Sequence, residues 1–203
     1  MDKINLLDMA PNELEQFVER MGEKKYRAKQ ISKWISEGID SIDEMTNLSL
    51  DFRNELKEKT VLGNMKLVDK SVSAKDETTK YLFAIQDSET VESVLMKYHY
   101  GYSVCVSSQA GCRMGCTFCA STGPGFAGNL TPGEMLEQVL YISRQTGERI
   151  GNVVIMGIGE PFDNYDNVIK FTRIINSPES LNIGYRHMTV STCGIVPGII
   201  KLA

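Results

Sequence analysis

Hydrophobic residues recur with a helical period through the first sixty residues of the chain. They predict a first helix that begins at its cap Asn12 and ends at Gly22. The apolar positions of this helix are Leu14, Phe17, Val18 and Met21. The same period predicts a second helix over residues 25–36 and a weaker third helix over residues 48–56. Residues 1–62 are therefore expected to form a small helical domain.

The period changes to two from about residue 65 onward. Alternating apolar and polar residues predict antiparallel strands, with turns at residues 86–88 and 100–101. The predicted strands cover residues 79–85, 90–98 and 103–107. Residues 63–102 are thus expected to be an antiparallel β segment that leads into the core of the protein.

Strands and helices alternate after residue 119. Thr131 is the predicted cap of a helix, with Pro132 in its first position and Glu134 in its third. Further strands are predicted at residues 153–156 and 188–192, and further helices at 166–175 and from 195. Three strand–helix repeats at this spacing indicate a parallel α/β unit over residues 103–203.

Composition narrows the class of protein. The chain has 203 residues, of which 42% are hydrophobic and 24% charged, and this excludes a disordered or fibrous protein. Its apolar runs are only a few residues long, so we expect no membrane span, no export signal and a cytoplasmic location.

Charge gives only a local indication of a nucleic-acid partner. The net charge is −4, so the chain as a whole is not basic. Lys25, Lys29 and Lys33 nevertheless fall on one face of the second predicted helix. They form either a solvated helix face or a patch that contacts RNA phosphates.

Four of the five cysteines lie between residues 105 and 119. Without a secretory signal, this crowding indicates a metal or redox site rather than a disulfide framework. Cys112, Cys116 and Cys119 have C-x3-C-x2-C spacing, and soft thiolates select an iron–sulfur cluster, zinc or copper(I). A [4Fe–4S] cluster ordinarily has four cysteine ligands, so three cysteines leave one iron open. The alternative is a zinc site that Cys105 or His99 completes.

Two further features accompany the cysteines. Phe118 directly precedes the last cysteine, and the segment Met-Gly-Ile-Gly-Glu-Pro ends the strand predicted at 153–156. Together with the three cysteines, they resemble the radical SAM superfamily. The resemblance implies a [4Fe–4S] cluster and S-adenosyl-L-methionine (SAM). It also implies that Phe118 lies beside the adenine of SAM and that Gly159 and Glu160 hold its amino group.

A wider set of segments resembles the RlmN/Cfr family within that superfamily. These segments are residues 111–119, 129–131, 152–161, 167–168 and 189–197. The resemblance implies the first three units of a (β/α)6 partial barrel behind an N-terminal helical domain. Members methylate carbon 2 (RlmN type) or carbon 8 (Cfr type) of an adenine in 23S rRNA, and the RlmN type also acts on tRNA. We expect the RlmN type because it is the widespread form.

The resemblance also assigns site residues and partners. Glu92 matches a proton acceptor, Cys105 a thiol that resolves an enzyme–RNA adduct by forming a disulfide, and Ser191 a SAM contact. Cys193 is expected to pack rather than to act. The family's methyl-carrying cysteine is expected beyond residue 203, so the chain is expected to be a fragment, inactive alone. An electron donor such as flavodoxin or ferredoxin, and a monomeric state, are also expected.

Two other functions stay open at this point. One is another radical SAM enzyme, such as a glycyl-radical activating enzyme, with the same three cysteines. The other is a non-catalytic zinc or iron–sulfur binding module. Glu92, Cys105 and the predicted helical domain of residues 1–62 argue against a glycyl-radical activating enzyme.

Overall fold

The N-terminal part of the protein is the predicted set of three helices. The computed structural model describes residues 3–85, 89–123 and 125–203. The helices are α1 (Pro11–Arg20), α2 (Tyr26–Ser36) and α3 (Leu50–Lys59). Two short parallel strands, β1 (Ile4–Asn5) and β2 (Thr60–Val61), bring the two ends of this part together.

The predicted cap of the first helix is wrong. Asn12 is the second residue of α1, and Ala10 occupies the cap position. Glu13 Oε2 accepts a hydrogen bond from the Ala10 N–H at 2.8 Å, which takes the place of a side-chain cap. Pro11 fits the first helical position because that residue needs no N–H partner there.

The remaining strands form one large sheet and one short ribbon. They are β3 (Lys66–Val72), β4 (Thr79–Ala84), β5 (Thr90–Tyr98), β6 (Gly101–Cys105), β7 (Gln109–Gly111), β8 (Phe126–Asn129), β9 (Ile150–Ile155) and β10 (Met188–Val190). The large sheet has the order β10-β9-β6-β5-β4-β3. Its β6, β9 and β10 are parallel, whereas β3 to β6 are antiparallel. The turn predicted at residues 86–88 lies outside the described residues.

Three helices alternate with the parallel strands, as predicted. They are α4 (Pro132–Thr146), α5 (Tyr165–Asn176) and α6 (Val196–Leu202). The predicted cap of α4 is confirmed. Thr131 Oγ1 accepts from the Glu134 N–H at 3.2 Å, and Glu134 Oε2 accepts from the Thr131 N–H at 2.8 Å. The α/β prediction for this half of the chain is therefore confirmed.

The two faces of the sheet have different surroundings, because successive side chains of a strand point to opposite sides. Phe83 of β4 packs edge-on against Tyr141 of α4, with ring centroids 5.1 Å apart. Ser93 of β5 also points to α4. Glu92 and Cys105 point to the opposite face, where they are half-buried. The sheet thus keeps one face for the helices and presents the other to the site described below.

The helical part is packed onto the α/β part through a continuous hydrophobic core. Asp8 Oδ1 accepts a hydrogen bond from the Gly133 N–H at 2.7 Å, at the start of α4. Glu13 of α1 forms an ion pair with Lys170 of α5 at 2.6 Å. The domain boundaries at residues 62 and 102 stay predictions, and the large sheet runs across the second of them.

Within the described residues, no helix has the length and apolar character that crossing a membrane requires.

Gln138 of α4 is the fully buried polar link between this helix and the sheet. Its Oε1 accepts hydrogen bonds from Ser93 Oγ at 2.6 Å and from the Ser107 N–H at 2.8 Å. Its Nε2 donates to the carbonyl oxygens of Ser107 at 3.1 Å and Glu134 at 3.2 Å. The amide therefore uses both of its donors and both of its acceptor positions.

Replacing Gln138 by Ala is expected to destabilise the protein by about 3 kcal/mol or more, because several buried polar groups lose their partner. Urea unfolding followed by circular dichroism measures the loss. The control is Gln145→Ala, at an exposed position of the same helix, which should change the free energy of unfolding by less than about 0.5 kcal/mol. Equal effects of the two substitutions would contradict the importance of the Gln138 contacts.

Glu137 lies at the seam between the helical part and α4. Its Oε1 accepts a hydrogen bond from the Met65 N–H at 2.9 Å, and its Oε2 is buried without a partner. Burial raises the pKa of Glu137 to about 7. The folded protein therefore binds a proton that the unfolded chain releases in this range, so stability falls as the pH rises from about 4.5 to about 7.

Glu137→Gln is expected to remove this pH dependence, which corresponds to about 3 kcal/mol across the window. The free energy of unfolding of both proteins is measured by urea titration at several pH values between 4 and 8. The difference between variant and wild type should grow in favour of the variant as the pH rises. Glu58→Gln, at an exposed position of α3, is the control, and a constant difference for Glu137→Gln would refute the prediction.

Candidate active site

The three cysteines of the C-x3-C-x2-C segment lie on one loop that the β7–β8 ribbon closes. The Cys112 N–H donates to the Gly125 carbonyl oxygen at 3.2 Å, and the Cys119 N–H donates to the Cys116 carbonyl oxygen at 3.0 Å. Gly111 has a φ of +67°, and a Cβ there would come within 1.7 Å of the Gly125 oxygen. Only glycine fits this crossing of the two ribbon strands.

Arg113 fixes this cysteine loop to its neighbours. Its Nε lies 3.0 Å from Oδ2 of Asp163, in the segment that follows β9. Its guanidinium lies 3.8 Å from the ring centroid of Phe126 in β8, a cation–π contact. The cysteine loop is thus held from both sides.

The predicted cofactor and metal residues meet at one cavity of about 290 Å³. The cysteine loop forms one wall, and the segments after β9 and β10 form the others. The predicted site residues among those that line it are Cys112, Cys116, Cys119, Phe118, Gly159, Glu160 and Ser191. Phe118 stands at the rim with 92% of its surface exposed. A flat aromatic side chain in this position is available to a ligand.

Gly159 and Glu160 are packed tightly against the interior of the protein. Gly159 has a φ of +107°, and a Cβ there would lie 2.6 Å from Cβ of Gln109. Glu160 is only 3% exposed. Its Oε1 accepts from the Phe162 N–H at 2.9 Å, and its Oε2 accepts from the Cys193 N–H at 2.7 Å. The carboxylate therefore joins two walls of the cavity and keeps lone pairs for a further donor.

The wall after β10 carries Ser191 and Cys193. The Ser191 N–H donates to the Ile155 carbonyl oxygen at 3.3 Å, which continues the pairing of β10 with β9. Cys193 is exposed and lines the cavity, so its interpretation as a packing residue is wrong. Desolvation at the cavity wall and the neighbouring Glu160 carboxylate raise the pKa of Cys193 to about 11.

Glu92 lies beside the cysteine loop but in a second cavity, of about 390 Å³, whose lining includes Gly111, Ser121 and Phe126. Ser121 lines both cavities. Lys80 Nζ lies 2.9 Å from Glu92 Oε1, and this contact raises the pKa of Lys80. The second cavity thus holds a carboxylate that is paired with a lysine, next to the first cavity.

Cys105 shares the sheet face of Glu92 but lies outside both cavities as the described residues define them. Burial raises the pKa of its thiol. All five cysteines fall within the described part of the chain and are free thiols. The disulfide expected of Cys105 is therefore not present in this chain.

Lys29 and Lys33 are exposed on α2, and Lys25 is exposed at the cap position just before it. Lys25 lies 3.7 Å from Glu19, and Lys29 lies 3.0 Å from Glu179. Two of the three charges thus have an acidic neighbour within the protein. The position of the three lysines on one surface agrees with the prediction. Their ion pairs with Glu19 and Glu179 were not predicted.

The donor set fits a four-iron cluster better than a single metal ion. Among residues 3–85, 89–123 and 125–203, no three His, Cys, Asp or Glu side chains lie close enough to hold one ion. A [4Fe–4S] cluster places each thiolate on a different iron, so its ligands are spread around a larger volume. His99 lies in the turn before β6, at the end of that strand remote from the cysteine loop, so the zinc site that His99 would complete is not assembled.

Sequence reasoning missed the residues that hold the walls together. Gln109 is fully buried, and its Oε1 accepts from the Glu160 N–H at 2.9 Å. Its Nε2 donates to Asn129 Oδ1 at 2.7 Å and to Asp163 Oδ2 at 2.8 Å. The available signal was the run Ser-Ser-Gln directly after an apolar strand, since polar residues at a strand end either bind a ligand or anchor a loop.

Comparisons with known proteins agree with this geometry. Residues 4–62 match the family described as "Ribosomal RNA large subunit methyltransferase N-terminal domain". Residues 106–203 match the family described as "Radical SAM superfamily". The two matches fall on the helical part and on the part that carries the cysteine loop.

Curated relatives align with the whole chain. A protein of Desulforamulus reducens named "Probable dual-specificity RNA methyltransferase RlmN" is 54% identical over 203 residues, which is 100% of this chain and 58% of that protein. A protein of Alkaliphilus oremlandii with the same name is 51% identical over 203 residues. The alignment covers 100% of this chain and 59% of that protein. The chain thus spans a little under three fifths of the length of these relatives.

A solved structure has the same fold. The crystal structure of a radical SAM methyltransferase from Sphaerobacter thermophilus superposes with a TM-score of 0.91 at 39% sequence identity. The superposition covers 98% of this chain and 60% of that one. On the two family matches, the relatives and this fold, the chain belongs to the RlmN/Cfr family of the radical SAM superfamily.

Proposed function

We propose that this chain is the cluster-bearing part of a radical SAM methyltransferase that acts on carbon 2 of an adenine in 23S rRNA and tRNA. The observation that carries the proposal is the cavity where three thiols face the segments after β9 and β10. The names of the relatives support the RNA substrates. With such substrates, we propose a cytoplasmic location.

In this proposal, the cavity residues hold the two cofactors. Cys112, Cys116 and Cys119 bind three irons of a [4Fe–4S] cluster and leave one iron for SAM. Glu160 accepts a hydrogen bond from the amino group of SAM, with Gly159 giving the ligand close access to the backbone, and Ser191 contacts SAM. When bound and reduced by flavodoxin or ferredoxin, the cofactors supply a 5′-deoxyadenosyl radical.

Radical chemistry suits the proposed substrate atom. Carbon 2 of adenine is electron-poor, so it cannot attack a sulfonium methyl group as a nucleophile. In the relatives' family the methyl group is carried by a cysteine, which we expect outside residues 1–203. The reaction of the whole protein therefore needs more than this chain. We propose that the chain alone cannot complete the methyl transfer and that it is monomeric.

Glu92 and Cys105 are proposed to release the product. Glu92 takes a proton from the modified base in the second cavity, and Lys80 orients the Glu92 carboxylate for that step. The Cys105 thiolate attacks the cysteine sulfur of the enzyme–RNA adduct. An S–S bond forms as the S–C bond breaks, and the electron pair of that bond stays on carbon, which takes a proton to become the methyl group. Burial keeps this thiol protonated at neutral pH, so it must lose a proton before it attacks.

The other functions considered from sequence are less well supported. A glycyl-radical activating enzyme does not require an N-terminal part that matches the ribosomal RNA methyltransferase domain over residues 4–62. A zinc module does not require Glu160 and Ser191 to line the same cavity as the three cysteines.

Replacing Cys116 by Ala is expected to abolish the cluster and SAM cleavage. Wild-type protein reconstituted without oxygen should hold about four irons and four sulfides per chain and, once reduced, convert SAM to 5′-deoxyadenosine. Iron and sulfide analysis, EPR of the reduced cluster and chromatography of the products give the readouts. Thr117→Ala, at an exposed position of the same loop, is the control and should behave as wild type. A colourless wild-type protein with one zinc would overturn the proposed function.

Replacing Lys25, Lys29 and Lys33 by Glu is expected to weaken binding of the chain to tRNA. If all three contact phosphates, the slope of log affinity against log salt should fall by about 2. Fluorescence anisotropy at several salt concentrations measures affinity and slope. The matched control replaces three other exposed lysines of the chain, Lys59, Lys66 and Lys75, by Glu. Equal losses in both triple variants would mean that only net charge matters and that α2 is not the contact surface.

A further inference from the structure

Cys193 places a further thiol on the wall of the cofactor cavity. The cavity lining includes Cys112, Cys116 and Cys119 from the cysteine loop and Cys193 from the segment after β10. Cys193 is an exposed free thiol. Because it comes from a different wall than the other three cysteines, it faces their loop across the cavity.

The backbone at Cys193 is anchored. Its N–H donates to Glu160 Oε2 at 2.7 Å, and Glu160 is only 3% exposed. Thr192 Oγ1 accepts from the Gly194 N–H at 3.1 Å, which fixes the turn that follows. The thiol is therefore presented from a defined position rather than from a loose loop end.

The chemistry of the open iron matches this thiol. Three cysteines leave one iron of a [4Fe–4S] cluster without a protein ligand. Thiolates are the ligands that iron–sulfur clusters select, and coordination to a metal deprotonates a thiol. An additional thiol on the wall of the same cavity is thus a suitable fourth ligand whenever SAM is absent.

We infer that Cys193 binds the iron left open by Cys112, Cys116 and Cys119 while SAM is absent, and that SAM displaces it. The inference rests on the proposed function. When the Fe–S bond to Cys193 forms, the thiol proton passes to solvent. When the amino and carboxylate groups of SAM take the iron, that bond breaks and the thiolate takes a proton back. The oxidation states of the irons do not change in the exchange.

Two measurable properties follow. A fourth protein ligand protects the open iron from loss, so oxidation with ferricyanide should convert the cluster to a three-iron form slowly. SAM must also compete with Cys193 for the iron. If Cys193 is bound in about nine molecules of ten, the apparent affinity for SAM is about tenfold weaker than that of an open site.

The test compares anaerobically reconstituted wild type with Cys193→Ala. The variant is expected to lose iron faster on oxidation, as followed by the EPR signal of the three-iron cluster, and to bind SAM about tenfold more tightly by equilibrium dialysis. Cys193→Ser, which keeps the size of the side chain, should change both properties in the same direction. Thr192→Ser, which retains the hydroxyl of the neighbouring residue, is the control and should match wild type.

The outcomes separate this inference from the proposed function. If wild type and Cys193→Ala form the same cluster, lose iron at the same rate and bind SAM equally, Cys193 is not a ligand and the proposed function stands. If Thr192→Ser changes both properties as much as Cys193→Ala, the effect comes from the turn and the inference is overturned. If neither wild type nor Cys193→Ala forms an iron–sulfur cluster, both the proposed function and this inference fail.

Discussion

The site depends on a buried polar junction formed by Ser107, Ser108 and Gln109, which lead from β6 into β7. Ser107 and Gln109 are fully buried, and Ser108 is 1% exposed. Ser107 Oγ donates to the Glu92 carbonyl oxygen at 2.6 Å and accepts from the Ile158 N–H at 2.9 Å. A buried polar group that loses its partner costs about 1–3 kcal/mol. The segments that meet at this junction are therefore held in one arrangement.

The junction connects the walls of the cofactor cavity, the cavity of about 290 Å³ between the cysteine loop and the segments after β9 and β10. Gln109 binds the backbone at Glu160 and the side chain of Asp163. Asp163 in turn pairs with Arg113 on the cysteine loop, and Glu160 binds the backbone at Cys193. Hydrogen bonds of the buried Gln109 and Glu160, together with the Arg113–Asp163 ion pair, thus connect each wall to the others. The relative placement of the thiols and the ligand-holding segments is set by the fold before any cofactor enters.

The sequence predicted the elements well, because each has a strong local signal. The apolar periods of α2 and α4 and the cap of α4 act over a few residues, and so does the alternation in β4 and β5. The cavity residues were predicted from motif and resemblance, and the structure brings them together. Three features had no local signal: the β7–β8 ribbon pairs short segments with no alternating pattern, Lys29 pairs with a residue 150 positions away, and Cys193 reaches the cavity only because β10 lies beside β9.

The alternation of side chains along the strands also puts residues that stabilise the fold and candidate catalytic residues on different faces of the sheet. On β4 and β5, Phe83 and Ser93 point toward α4, whereas Lys80 and Glu92 point to the other face. Substitutions on the first face act on stability, because its side chains are buried against the helix. The second face is free of that constraint, so charged and thiol side chains are tolerated there. The same two strands therefore carry core residues and candidate catalytic residues at alternate positions, one set for each face of the sheet.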